Sequence, residues 1–259
     1  MEHFYLILPS NSSMQYYPDN TARRFNTKLE RPISLSGDWE VGLLEIEYKR
    51  SWYTINDTEN SIRYCFAVDG DIYIEWLSIP PGYYGNIKDL VAKINAAIGR
   101  VSGKRPREKW SLLKYDDISR KIVIFLQKGD NFNFSDDLQL ILGITGPILG
   151  YNDDTWFTGE EVCDIDRKVS SIFIYCDATE HVPIGDVTAP LLRTIAVGGK
   201  QGEIIRRIFD KPLYVPIRKK NFDSIEIDMR TDTGDPIPFE SGKSSVTLHF
   251  RLSKNRYLI

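Results

Sequence analysis

The sequence predicts an all-β fold, an antiparallel β-sandwich with short helical insertions. Three observations carry that expectation. Short apolar or alternating runs, about ten of them, recur between clusters of turn residues. Only two segments show helical spacing, so strands and helices do not alternate as they do around a parallel sheet. Aromatic residues make up 12% of the 259 residues, with 14 Tyr, 12 Phe and 5 Trp, a bias toward pleated, half-buried surfaces.

The elements follow in order. Phe4–Leu8 is an apolar run closed by Pro9. Residues 24–35 alternate up to Pro32, which places that end at a sheet edge or a bulge. Residues 39–48 form a long strand whose apolar side, Trp39, Val41 and Leu43, is broken by Glu45, the signature of a bulge or an edge. Residues 62–68 and 71–77 flank Asp69-Gly70, the strongest short hairpin signal in the chain. Asn86 caps a helix with Ile87, Leu90, Val91, Ile94, Ala97 and Ile98 on one face, and Gly99 is expected to stop it. Residues 102–109 are basic and read as an exposed loop.

Residues 110–115 and 121–127 read as a strand pair. Ser135 caps a short helix ending at Gly143, and residues 143–166 read as a long loop. Residues 168–176 are a β-run, and 177–202 a long connection. Residues 204–217 hold one or two strands interrupted by Pro212. Residues 222–229 and 244–252 alternate strictly. One domain over residues 1–259 is expected, with a long insert over about residues 100–166.

Lys+Arg is 33 and Asp+Glu is 36, a net charge of −3, which is a poor footprint for nucleic acid. No apolar run approaches the ~20 residues of a membrane span. Cys65, Cys163 and Cys176 are odd in number and widely spaced, with no CxxC pair, so a reducing compartment is expected. The N-terminus lacks the basic and apolar regions of a signal peptide, so three Asn-x-Ser/Thr triplets read as chance. His3, His181 and His249 lack metal spacing, and neither metal nor cofactor is implied. His249 reads as a polar-face strand residue between Leu248 and Phe250. A Cys176–His181 dyad has the residue types for nucleophilic catalysis, but Cys176 ends an apolar strand, where buried thiols are ordinary. Gly198–Gly202 lacks the spacing of a phosphate loop and reads as a turn. No catalytic constellation emerges, and the profile suits a binding or assembly protein.

Five blocks then acquire meaning together. They are Leu8–Met14 with Tyr17–Thr21; Phe25 to Leu35 running into Gly37–Leu43 and Glu45-Ile46; Gly82-Tyr83-Tyr84 before Ile94-Asn95; Ile174–Asp177 with Gly185-Asp186 and Pro190–Arg193; and Phe222 to Ile227, Pro236-Ile237, Phe239, Gly242 and Thr247–Arg251. In this order they resemble the minor capsid (penton) proteins of Polinton/Maverick elements and adintovirus-like relatives. The resemblance implies a single jelly roll and no enzymatic activity. It implies homopentamers at the five-fold vertices of an icosahedral virion, contacts with double jelly-roll major capsid proteins, a docking place for a spike or fibre, and assembly in a host nucleus. Three aromatic pairs are the candidate subunit-interface residues: Tyr16 and Tyr17, Tyr83 and Tyr84, and Trp156 and Phe157. Each pair either meets a neighbouring subunit or packs on its own. The polar arm 11–20 is either a strand-swapping arm or an ordered loop over a sandwich edge. The alternative is a lectin-like or receptor-binding β-sandwich, in which exposed Trp and Tyr stack on sugars.

Overall fold

The computed structural model describes residues 2–106, 110–150, 152–167 and 169–253. The chain first lays down β1 (His3–Pro9), β2 (Arg24–Ser34) and β3 (Trp39–Lys49). It continues through β4 (Ser61–Val68), β5 (Asp71–Ser78), α1 (Ile87–Val101), β6 (Leu112–Asp116), β7 (Lys121–Leu126), β8 (Asn131–Phe134), α2 (Asp136–Leu142), β9 (Ile148–Leu149) and β10 (Thr155–Thr158). It closes with β11 (Ser171–Cys176), β12 (Val182–Ile184), β13 (Val187–Ala189), β14 (Leu191–Ala196), β15 (Ile204–Ile208), β16 (Tyr214–Pro216), β17 (Asn221–Arg230) and β18 (Ser244–Leu252).

These elements make two compact units. One takes the chain up to Trp52 and again from Val169; the other takes the segment between, beginning at Tyr53. The first unit is an antiparallel sandwich. One sheet runs β1-β18-β3-β15, with β16 also on β3; the other runs β14-β11-β17-β2; β12 and β13 form a separate hairpin. Numbered along the chain, the eight main strands stand in the orders 1-8-3-6 and 2-7-4-5. This is the double Greek key of a jelly roll. Its core holds Leu8, Phe25, Val41, Ile46, Ile174, Ile227, Leu248 and Phe250, all essentially inaccessible to solvent.

The expected irregularity in β3 is a bulge. Opposite it, Thr247 pairs with Glu45 but Leu248 pairs with Leu43, so Leu44 is the extra residue. One extra residue reverses the alternation. Val41 and Leu43 therefore point inward before it and Ile46 and Tyr48 after it, while Glu45 turns outward to pair with Arg206.

The second unit has sheets β5-β4-β8-β9 and β10-β7-β6 sharing one core with α1 and α2. The separately packed segment is longer than the insert expected at 100–166, because β4, β5 and α1 bury their apolar faces with the later strands. At its centre lies a buried polar cluster. Asp130, fully buried, accepts hydrogen bonds from Tyr64 Oη and Ser111 Oγ, each at 2.7 Å, and pairs with Arg105. Burial pushes the Tyr64 phenol well above its ordinary range.

Several expectations are corrected here. Gly99 does not stop α1, which continues to Val101. A Cβ at Gly99 would stand 2.7 Å from the Trp110 ring, so the glycine is there to admit that ring. Ser102 and the Arg105 side chain are buried, not exposed loop residues; Arg107, Glu108 and Lys109 lie outside the described residues. Within the expected loop 143–166, β9 and β10 pair with β8 and β7. The expected connection 177–202 contains a hairpin and β14, a full member of the jelly roll.

Two stability effects follow. Alanine normally stabilises a helix interior relative to glycine by about 1 kcal/mol, but Gly99→Ala must displace a ring anchored by its Nε1 on Arg105 O. It is expected to lower stability by about 1–3 kcal/mol, as overpacking does, read as a lower midpoint in denaturant unfolding. Asp130→Ala leaves Arg105 buried and unpaired and is expected to cost about 3–5 kcal/mol in the same assay.

Candidate subunit interface

A strand at the edge of a sheet presents unpaired N–H and C=O groups, which soluble proteins cover, shorten or charge. Most edges here are managed in one of those ways. The polar arm after β1 covers β2. Asn20 Nδ2 donates to Asn26 O and the Asn26 N–H donates to Asn20 Oδ1, both at 2.8 Å; the Lys28 N–H donates to Ser13 Oγ at 2.9 Å. The arm is therefore an ordered loop over a sandwich edge. On β6, Asn95 plays the same part, donating to Leu113 O at 2.8 Å and accepting from Leu113 N–H at 2.9 Å. β15 carries Arg206 and Arg207, β14 carries Arg193, and β9 and β10 are short.

Two edges are long, apolar and uncovered among the described residues: β1, which pairs only with β18, and β5, which pairs only with β4. On β1 the outward side chains include Tyr5 and Ile7, both more than half exposed. On β5, Ile72 is 77% exposed, Ile74 53% and Trp76 69%. These residues alternate along the strand, so all three share its outer face. A second apolar row crosses the other sheet of that unit, where Leu112 and Trp156 both stand opposite Phe125.

The aromatic pairs singled out from the sequence divide. Tyr16, Tyr83 and Trp156 are exposed, and Trp156 rests against Phe125 with ring centroids 4.9 Å apart. Tyr17 is half-buried. Tyr84 is buried, its Oη donating to Pro80 O at 2.7 Å, and Phe157 packs against its own unit's core. The sequence reading missed Ile72, Ile74 and Trp76. The signal was present, since β5 is apolar at Tyr73 and Leu77 as well as at 72, 74 and 76, and an edge strand needs only one apolar face to fill a core.

On the outer face of the jelly roll, Tyr5 stacks on His249 with centroids 4.5 Å apart, and His249 Nδ1 lies 2.7 Å from Tyr214 Oη. His249 thus faces away from buried Leu248 and Phe250, as its position in the alternation requires. Burial, then the nearby His3 and Arg251, lower its pKa.

Cys176 and His181 stand in different environments. Cys176 is fully buried, and burial pushes its thiol up to about 12, which favours the neutral thiol over the thiolate. His181 is exposed, and neighbouring Asp177 is held by Lys219 and by the Glu226 N–H. Gly199 and Gly202 have φ of 78° and 81°, the turn expected of that segment. Among the described residues no group of three or more His, Cys, Asp or Glu is placed to hold a metal ion, and no helix is long and apolar enough to cross a membrane.

No family model matches the chain, and no curated protein matches its sequence. Among solved structures, the chain is similar to the selenomethionine-labelled mavirus penton protein. The TM-score is 0.55 at 13% identity, with 97% of this chain and 99% of that chain covered. At that identity the likeness is one of fold. It falls on a penton protein, the kind of protein that the five sequence blocks resemble.

The thiols give a direct check on the buried cysteines. Cys163, pushed up to about 11 by burial, and Cys176 are expected to stay silent toward a thiol reagent in the native protein at pH 8 and to react once guanidinium unfolds it. Fast native labelling of Cys176 would reopen the nucleophile reading.

Proposed function

We propose that this chain is a penton, a structural capsid subunit that forms homopentameric vertices of an icosahedral virion. The observation that carries the reading is the reciprocal coverage. The likeness to the mavirus penton takes in 97% of this chain and 99% of that one, so it extends beyond the widespread jelly roll to the inserted segment. A jelly roll alone serves many functions; a jelly roll interrupted after its third strand by a unit of this size is a far narrower architecture.

In this role the work is assembly rather than catalysis. Five copies around an axis need a heterologous interface, in which one surface of each copy meets a different surface of the next. The outer rim of such a ring faces the double jelly-roll major capsid proteins, and its apex is where a spike or fibre docks. Assembly in a host nucleus belongs to the same reading. The net charge of −3 fits a shell component that does not hold nucleic acid directly.

The test is the mass of the purified chain by light scattering over a range of concentrations. A particle of five times the 29.8 kDa chain is expected, dissociating on dilution as mass action requires. A strict monomer at every concentration, in the presence of the major capsid protein as well, would sink the reading.

A further inference from the structure

The β5 edge combines two kinds of unmet bonding capacity on the same three residues. β4 and β5 are joined by Asp69 and Gly70, with φ of 51° and 94°, the two-residue turn whose flanking pair is hydrogen-bonded. Val68 and Asp71 are that pair. In an antiparallel ladder the hydrogen-bonded pairs alternate with non-bonded ones. Asp71, Tyr73, Glu75 and Leu77 therefore turn their N–H and C=O toward β4. Ile72, Ile74 and Trp76 turn theirs to the open edge, and the exposed side chains belong to those same residues.

Together the three side chains present on the order of 400 Å² of apolar surface. That is about half of the ~800 Å² each partner contributes to a stable interface. No lysine, arginine or proline blunts the strand, in contrast to β15 with its two arginines. Such an edge is the feature that monomeric proteins avoid.

We infer that β5 is a docking edge for a second copy of this chain, which adds a strand to it and covers Ile72, Ile74 and Trp76. The inference rests on the penton reading and specifies its contact. Strand addition satisfies the outward backbone groups, and the apolar face supplies a Trp anchor of the kind that dominates interfaces. A second copy is the occupant favoured here because a closed ring needs two different surfaces on each chain. Among the described residues two long apolar edges are uncovered, β5 and β1, and they differ in sequence.

The experiment compares the wild type with two variants by light scattering over a dilution series, with circular dichroism and thermal midpoints as folding controls. The first is Ile74→Asp combined with Trp76→Asp, which charges exposed positions. The second is Ile74→Pro, which removes an outward N–H that bonds nothing within the sheet and so spares the β4–β5 ladder. Both are expected to fold and to weaken association by roughly 30-fold or more, the loss typical of a removed anchor. In the wild type, the amides of Ile72, Ile74 and Trp76 are expected to gain protection from hydrogen exchange on assembly; this reading stands even if a variant fails to fold.

A wild-type pentamer that both folded variants retain, with those amides unprotected, would overturn the β5 contact and leave the vertex reading intact. A wild-type dimer abolished by the variants would uphold the edge and overturn the ring. A wild type that stays monomeric would overturn both, and a different protein would then be the occupant of β5.

Discussion

Everything in the jelly roll depends on β3. It takes three partners, β18 on one side and β15 with β16 on the other. Its bulge at Leu44 decides which of its residues enter the core. Without the extra residue, an inward Val41 and Leu43 would require an inward Glu45, and burying an unpaired carboxylate costs several kcal/mol. With it, two apolar pairs face inward and Glu45 meets Arg206 in solvent. The end of β3 is then clamped where the chain leaves the sandwich. The Arg50 N–H donates to Glu203 O at 2.9 Å and the Gly202 N–H donates to Arg50 O at 2.7 Å. Ser51 Oγ donates to Ser241 O at 2.7 Å, and Trp52 packs against Tyr48 and Phe239. An insertion as large as the second unit is tolerated because the sandwich is closed before the chain departs.

The second unit solves a different problem. Within its largely apolar core lies the buried carboxylate of Asp130, which carries Tyr64, Ser111 and Arg105 as partners. These four residues come from β4, the segment after α1, the approach to β6 and the turn before β8. A buried carboxylate fully supplied with donors fixes the relative positions of all four segments, whereas apolar contacts tolerate slippage. Swapping the whole cluster for apolar residues need not cost stability, but removing one member does. That asymmetry is the physical sense in which the cluster specifies this arrangement.

The long strands were legible because β17 and β18 alternate without interruption, β1 is an apolar run closed by Pro9, β3 shows its bulge as a break at Glu45, and Asp69-Gly70 marks a hairpin to the residue. Three kinds of element were not. β8, β9 and β10 are two to four residues long, too short for a period to register. β14 was hidden by Arg193, whose cation lies over the Phe209 ring at 3.7 Å and so sits in a strand that a charge seemed to break. The end of α1 misled because Gly99 serves a neighbour and not a cap. At the candidate interface, aromatic residues in loops drew attention by type. Tyr84 and Phe157 pack within their own unit, while the exposed face of β5 went unread because apolar residues on both faces of a strand look, in sequence, like burial on both.

That ambiguity bears on function. β5 carries Ile72, Ile74 and Trp76 on one face and Tyr73 and Leu77, with Asp71 and Glu75, on the other, and it lies at the margin of its sheet within one chain. The rest of the molecule shows that its margins are not neglected: the arm over residues 11–20 is spent on β2, an asparagine on β6, arginines on β14 and β15. Edges so consistently managed make the two unmanaged ones informative. A monomer gains nothing from leaving β1 and β5 bare and runs the risk of aggregation. On the proposed reading such edges stay bare because covering them within the chain would remove the surfaces that a neighbouring copy meets.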